Sequence, residues 1–592
     1  MLSRLDDRFA LLISGRRTAL PKHRTLRATL DWSYDLLSVP ERLLLQRLAI
    51  FAAPFSLEAA GAVTGNGGGL TAEIADGIEN LVGKSMVTAD LSGVIVHYRL
   101  LETTKAFALE RLMEGEGSRQ LAQRHAEYYQ RFLERIEDEQ GIGSANLSDL
   151  GNVRAALEWC FAPYGDSAIG VRLAVAAAPA FLAMSLMTEC QRWCEQALLT
   201  LEDTTRGGRE EMQLQAALGI SLLFGRGANE AARVAMSRGL AIAEAQEDAR
   251  TQIRLLGPLS IFYVRLGDFN TAMRYSKRAS AISKIITDPD AIAFAHCCVG
   301  FSLLHSGDLS GARVELEATT ENQPRSQRDS IRYSGFDHYS LAGVHLARTL
   351  SLQGYQTRAA EYARQVIRHA ASLNHPVSLS ITLHWAISVF LLAGDLASAE
   401  EHTDWLISRA ESHSLVPYTA IGHGFKGELA VRRGDAATGV EILQRCLADL
   451  QAMHHELVIT PFSISLALGL AAIGQFAEGG ALIDERIRLV AINGNFGYLP
   501  ELLRAKGGVI LATPNPDGDA AEKCFMQSLE LSRRQGALAW ELRTAVDLAA
   551  LFASRGQVDS VRTLLRPLLN QFVEGFDTPD LKAAERLLVA GG

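Results

Sequence analysis

The chain has 592 residues, of which 48% are hydrophobic and 21% charged, the balance of a folded protein and not of a disordered one. A net charge of −9 excludes wholesale coating of nucleic acid, and the length exceeds what one hydrophobic core holds. Seven scattered cysteines (Cys160, Cys190, Cys194, Cys297, Cys298, Cys446, Cys524) make an odd set with no C-x-x-C pair, which predicts buried thiols in a reducing compartment and no metal site.

Residues 1–24 read as a basic connector. The first 30 residues hold seven Lys/Arg against Asp6 and Asp7, and the opening Met1–Asp7 has acids where a secretory leader needs an apolar run. The most apolar stretch, Leu173 to Met187, contains Pro179 and is short for a bilayer, so a cytoplasmic protein with no membrane partner is expected. Residues 25–113 then form a compact module. Apolar residues at 26, 30, 34 and 37 have helical spacing, and Ser38-Val39-Pro40-Glu41 is a capping-box start for a helix running to Phe51. Ser56–Val63 and Ala72–Val82 are further helices, and Met86–Thr88 and Val94–Leu100 are strands joined across Asp90–Gly93. Leu101–Met113 closes the module. Helices followed by a β-hairpin are the order of a winged helix-turn-helix. Residues 114–205 read as a helical linker with helices over Leu147–Phe161 and Cys190–Leu201.

From 206 to 592 one turn keeps returning. Gly227, Gly267, Gly307, Gly354, Gly394, Gly434, Gly474, Gly518 and Gly556 follow one another at spacings of 40, 40, 47, 40, 40, 40, 44 and 38 residues. Such a period marks a repeat array. Each unit is an apolar helix, a glycine turn taking the positive φ that ends a helix, and a second helix capped by the next polar residue, often Asp. A small residue five places on (Ala232, Ala272, Ala312, Ala359, Ala399, Gly439, Gly479) lets the paired helices approach closely. The fold class is therefore mainly α: a winged-helix module, then a tetratricopeptide-like α-solenoid, a right-handed superhelix of helix pairs laid out as a one-dimensional stack with a final capping helix to Leu588. The second helices are expected to form the binding face, and the six tryptophans to pack helix pairs.

Several segments carry a resemblance. His23–Leu37 (HRTLRATLDWSYDLL), Tyr98–Thr103 with Ala108–Leu112, Leu150–Trp159 (LGNVRAALEW) and Glu574–Leu581 resemble the winged-helix and C-terminal parts of bacterial STAND-class regulators. In that family an output domain and a P-loop ATPase module precede the winged helix, and the repeats sense a ligand or partner. The resemblance implies a regulatory half without its ATPase core, so ATP is a cofactor only if a separate ATPase module is supplied. It also implies that Arg24, Arg27 and Arg99 are candidates for sensing nucleotide or contacting DNA. On the residues alone, pairing with Asp31 and Glu102 is the better reading for these arginines.

Motifs that point to chemistry fail on inspection. Gly77–Ser85 nearly spells a P-loop, but it has five residues between the glycines where four are needed, and a helix leads into it where a strand should. The helix in the recognition position carries Glu73, Asp76 and Glu79, which phosphate would repel. No Gly-x-Ser-x-Gly elbow or metalloprotease motif is present. The sequence thus predicts a regulatory, non-enzymatic protein with no catalytic residues, whose repeats bind a protein or peptide partner or a small effector. DNA binding by the winged helix is the alternative.

Overall fold

The computed structural model describes residues 21–65, 71–93, 95–114, 117–139, 147–321, 331 and 334–590, with the backbone alone at 21–26, 136–139, 147–148 and 590. Contacts group the chain into two units, Met1–Ala177 and Ala178–Gly592. Part of the basic connector, residues 1–20, lies outside the described residues.

In the first unit, helix α1 (Pro21–Asp35) starts four residues earlier than the spacing suggested, and α2 (Val39–Leu48) begins at the Ser38 cap. Both halves of the capping box form: the Ser38 hydroxyl accepts from the Glu41 N–H, and the Glu41 carboxylate accepts from the Ser38 N–H at 2.8 Å. Strand β1 (Phe55–Ser56), α3 (Leu57–Thr64), α4 (Ala72–Gly83), β2 (Val87–Asp90), β3 (His97–Leu100) and α5 (Glu102–Met113) follow. The antiparallel sheet has order β1-β3-β2, with Phe55 opposite Tyr98 and Val87 opposite Leu100. β1 escaped the sequence reading because two residues between Pro54 and a helix cap show no period. Leu45, Leu48, Phe51, Phe55, Val63, Ile78 and Leu81 make the core, each side chain contributing about 1.5–3 kcal/mol on burial.

Helices α6 (Ser118–Glu139) and α7 (Leu147–Cys160) complete this unit's packing. The Asn152 amide accepts from the Ala53 N–H at 3.1 Å and donates to the Pro54 carbonyl at 3.0 Å. A Cβ on Gly151 would stand 2.6 Å from Ala53. That is the physical content of the Leu150–Trp159 motif: it clamps α7 onto the turn before β1. Helix α8 (Ser167–Ala183) carries Pro179 inside it and contains the boundary between the units.

The second unit is built of helix pairs. After α9 (Met187–Thr200) the pairs are α10 (Arg209–Arg226) with α11 (Glu230–Ala245), α12 (Ala249–Arg265) with α13 (Phe269–Ser283), and α14 (Pro289–Ser306) with α15 (Leu309–Glu321). Next come α16 (His338–Leu352) with α17 (Gln356–Ser372), α18 (Pro376–Ala393) with α19 (Leu396–Ser412), and α20 (Val416–Arg432) with α21 (Ala436–Ala452). The last are α22 (Ile459–Ala472) with α23 (Phe476–Asn493), α24 (Leu499–Ala512) with α25 (Gly518–Gln535), and α26 (Leu538–Ser554) with α27 (Val558–Leu569), closed by α28 (Pro579–Ala590).

Gly227, Gly267, Gly307, Gly354, Gly394, Gly434, Gly474 and Gly556 all have positive φ between paired helices. The Asp268, Asp395 and Asp435 carboxylates then cap the following helix by accepting from the N–H groups of Thr271, Ser398 and Thr438. Gly518 departs from the series. It is the first residue of α25, beyond the Asp517 cap, because Thr513-Pro514-Asn515-Pro516 has already stopped α24 without any left-handed residue.

First and second helices differ in kind. α18 is buried along almost its whole length, whereas α17 buries one face (Gln356, Ala359, Ala360, Ala363, Val366, Ile367, Ala370) and leaves Thr357, Arg358, Glu361, Gln365 and Arg368 exposed. Pro376–Ala393 is long and apolar enough by composition to cross a membrane, yet 83% of it is buried inside the unit, as a core helix is. The tryptophans divide as well: Trp193, Trp385 and Trp540 are buried, while Trp32 is 66% exposed.

The stack is also more than one-dimensional. Asn270 donates to the Ile492 carbonyl 222 residues away, and Arg358 binds the Glu574 carboxylate across 216 residues. A Cβ on Gly267 would meet Asn493 and Glu456 at 3.2 Å, and one on Gly394 would meet Pro579 at 2.5 Å. Residues of one part of the array thus lie against residues roughly 185 to 226 positions further on, so the solenoid coils once and rests on itself. The turn glycines serve twice, by their backbone conformation and by leaving room for the next coil.

Candidate functional site

Coiling brings the first helices of distant pairs together around an interior cavity of about 270 Å³. It is lined from α16, α18, α20, α22, α24 and α26, all first helices of their pairs, whereas the expected binding face was the second helices. The reason is the wider apolar surface of the first helices, which the coil turns inward. Leu392, Val431, Pro461 and Leu468 are half-buried at the rim, while Arg348, His384, Trp385, Phe425, Phe462, Tyr498 and Trp540 are buried deeper.

The wall is aromatic with charges set into it. Phe425 and Phe462 meet edge to face at 5.2 Å, and His384 stacks on Trp385 at 4.4 Å. Burial holds His384 well below its ordinary pKa, so it is neutral. Arg348 lies between Trp385 and Tyr498, its guanidinium 5.6 and 5.0 Å from the two ring centres. It donates to the Ser388 hydroxyl at 2.7 Å and to the Tyr498 hydroxyl at 2.5 Å. Burial raises the Tyr498 phenol, against the pull of Arg348, so it keeps its proton. The Trp540 ring is 5.7 Å from Tyr498.

Acids at the same wall are already engaged. Glu428 pairs with Arg432 at 2.8 Å. Glu501 pairs with Arg504 at 2.8 Å and Arg543 at 2.9 Å, and Arg504 also reaches Asp547 at 2.6 Å. Burial pushes the Glu501 carboxyl up, but the two guanidiniums outweigh it and hold the group well below the usual carboxylate range. A smaller pocket of about 30 Å³ shares His384 and Trp385 and repeats the theme, with buried Arg265 donating to the Tyr418 hydroxyl at 3.3 Å. No sequence signal pointed to this site. Its residues belong to different repeats, and only the coil gathers them.

Of the arginines singled out in the first unit, the two with described side chains, Arg27 and Arg99, form no such cluster among the described residues. Arg27 pairs with Glu110 at 3.1 Å, not with Asp31, which Arg111 takes at 3.4 Å. Arg99 is exposed on β3, and the Arg24 side chain lies outside the described residues. On α4, Glu73, Asp76 and Glu79 are exposed, while Lys84 at its end is held by Glu41 at 2.6 Å. Gly77–Gly83 is helical, and the next amides are used locally, Lys84 N–H to Asn80, Ser85 N–H to Val82 and Met86 N–H to Leu81. That segment therefore offers no cradle of free N–H groups for a phosphate. Among the described residues, no group of three or more His, Cys, Asp or Glu could hold a metal ion, and the seven cysteines are free and buried.

Residues 37–113 match the sequence model of the winged helix-turn-helix domain. Over 555 residues the chain is 26% identical to a protein of Mycobacterium tuberculosis named as an HTH-type transcriptional regulator; the match covers 90% of this chain and 60% of that relative's length. Among solved structures, a Rap protein complexed with competence and sporulation factor overlaps 62% of this chain and 98% of its own, with 11% identity and a TM-score of 0.47. A STAND protein with a tetratricopeptide repeat sensor from Pyrococcus horikoshii overlaps 94% of this chain and 66% of its own, with 13% identity and a TM-score of 0.28. This chain is a winged helix-turn-helix domain followed by tetratricopeptide-like helical repeats, similar over most of its length to proteins named as HTH-type transcriptional regulators.

Proposed function

We propose that the chain is the sensing part of a regulator, in which the repeat unit takes up an effector and the winged-helix unit contacts another protein. The observation that carries this reading is the interior cavity, apolar on its wall, polar at chosen points and built from six helices of one coil. Self-contact between coils covers the inner face, which favours a small effector over a long protein segment there. An effector bridging α16 to α26 would tie early repeats to late ones, so occupancy would stiffen the coil as a whole. Native mass spectrometry of the full chain, incubated with fractionated small-molecule extract, tests this. A retained compound is expected, lost in Leu468→Trp, whose indole would crowd the rim. Equal retention by that variant, or none by either protein, would refute it.

For the winged helix we favour a protein partner over DNA. Trp32, Leu36, Val39 and Leu43 are exposed along the α1–α2 corner, while α4 presents carboxylates. Resemblance to HTH-type regulators supports the second reading, direct DNA binding. A gel shift at low salt decides: no shift is expected from the wild-type chain, and a salt-sensitive shift weakened by Arg27→Glu would reverse the preference.

A further inference from the structure

We infer that the interior cavity is selective for an anion, specifically a carboxylate carried on a compact apolar or aromatic body; this rests on the effector reading above. The first ground is charge. Arg348 is 4% exposed and lines the cavity, and among the described residues no carboxylate lies within 4 Å of it. Its neighbours are the two neutral hydroxyls and two rings described above. Every acid in that wall, Glu428 and Glu501, is already held by another arginine. An arginine keeps its charge wherever it sits, so a buried one with no counter-ion is costly until an anion meets it.

Donor geometry is the second, independent ground. Arg348 uses two of its five N–H groups on Ser388 and Tyr498. The Tyr498 hydroxyl accepts from Arg348, which leaves its own proton to donate. Trp540 is 3% exposed, lines the same cavity, and its indole N–H has no hydrogen-bond partner among the described residues. Among the described residues, the remaining Arg348 N–H groups, the Tyr498 O–H and the Trp540 N–H therefore have no hydrogen-bond acceptor. A carboxylate supplies two oxygens with lone pairs for a guanidinium fork and a neighbouring O–H or N–H. Phe425 and Phe462 give the rest of the ligand an apolar wall.

Isothermal titration of the full chain with matched acid and amide pairs tests the assignment: indole-3-acetate against indole-3-acetamide, and octanoate against octanamide. At least one acid is expected to bind tenfold or more tightly than its amide. Arg348→Met should bring that acid to the level of the amide while leaving the amide unchanged. Tyr498→Phe keeps the ring and removes one donor, so a severalfold loss for the acid is expected even if Arg348→Met does not fold. N-acetyl-Gly-Phe as free acid and as amide forms a further arm; binding of its acid alone would assign the carboxylate to a peptide terminus and still support the inference. Acid and amide binding equally, both blocked by Leu468→Trp, would overturn the anion assignment and leave the effector cavity standing. No binding by any probe would overturn both.

Discussion

Replacing Gly394 by alanine separates the two duties assigned to the turn glycines. The residue ends α18 at φ 77°, and its added Cβ would stand 2.5 Å from Cγ of Pro579 on the next coil. Gly434 has φ 91° and nothing within 4 Å of a Cβ, so it carries the backbone effect alone. A left-handed conformation costs an L-residue about 1–2 kcal/mol, of which the stiffer unfolded chain returns about 0.4–1 kcal/mol. Gly434→Ala should therefore destabilise by roughly 1 kcal/mol. Gly394→Ala adds overpacking against a rigid ring, about 1–3 kcal/mol more. Urea unfolding of both variants gives the difference, and hydrogen exchange locates it, since a repeat array need not unfold in one step. Faster exchange in α28 is expected for Gly394→Ala only, and Pro579→Ala should restore part of the loss. Equal losses at the two sites, with α28 unchanged, would refute the claim that successive coils touch.

Other outcomes follow from buried charge. Glu501→Gln should cost about 3 kcal/mol or more by leaving Arg504 and Arg543 short of an anion, whereas Asp547→Asn, at a half-buried partner, should cost less; urea unfolding compares them. In the first unit, hydrogen bonds from Lys84 and Ser38 hold Glu41 at about 2, below its ordinary 4.5. A depressed folded-state pKa means that the stabilisation is complete above about 4.5 and is lost as pH falls through about 2. Exchange of the α2 amides should therefore quicken over that window, and Glu41→Gln should flatten the dependence and cost about 1–2 kcal/mol at neutral pH.

The difference between what could be read from the sequence and what could not follows the range of each interaction. The Ser38–Glu41 box, the Asp435 cap and the Gly434 turn are decided within four or five residues, so their spelling is local. Winged-helix order was equally legible, because hairpin and helix periods alternate within 90 residues; β1 was not, being too short for a period. Gly518 misled because the forty-residue interval nearly fits, while two prolines beside it had already ended the helix. The pairing of Arg27 with Glu110 rather than Asp31 depends on how α1 packs on α5. The cavity lay furthest from view. Arg348 and Tyr498 are 150 residues apart, and nothing in either neighbourhood says that one coil of the solenoid will join them.

A crystal structure of the full chain grown with a saturating concentration of whichever acid probe binds most tightly tests the account most directly. Density for the probe is expected between Trp385, Tyr498 and Trp540, its carboxylate on the Arg348 guanidinium, with Arg358 still bound to Glu574 across the coils. An open solenoid with that pair apart, or a closed one with the probe elsewhere, would contradict it.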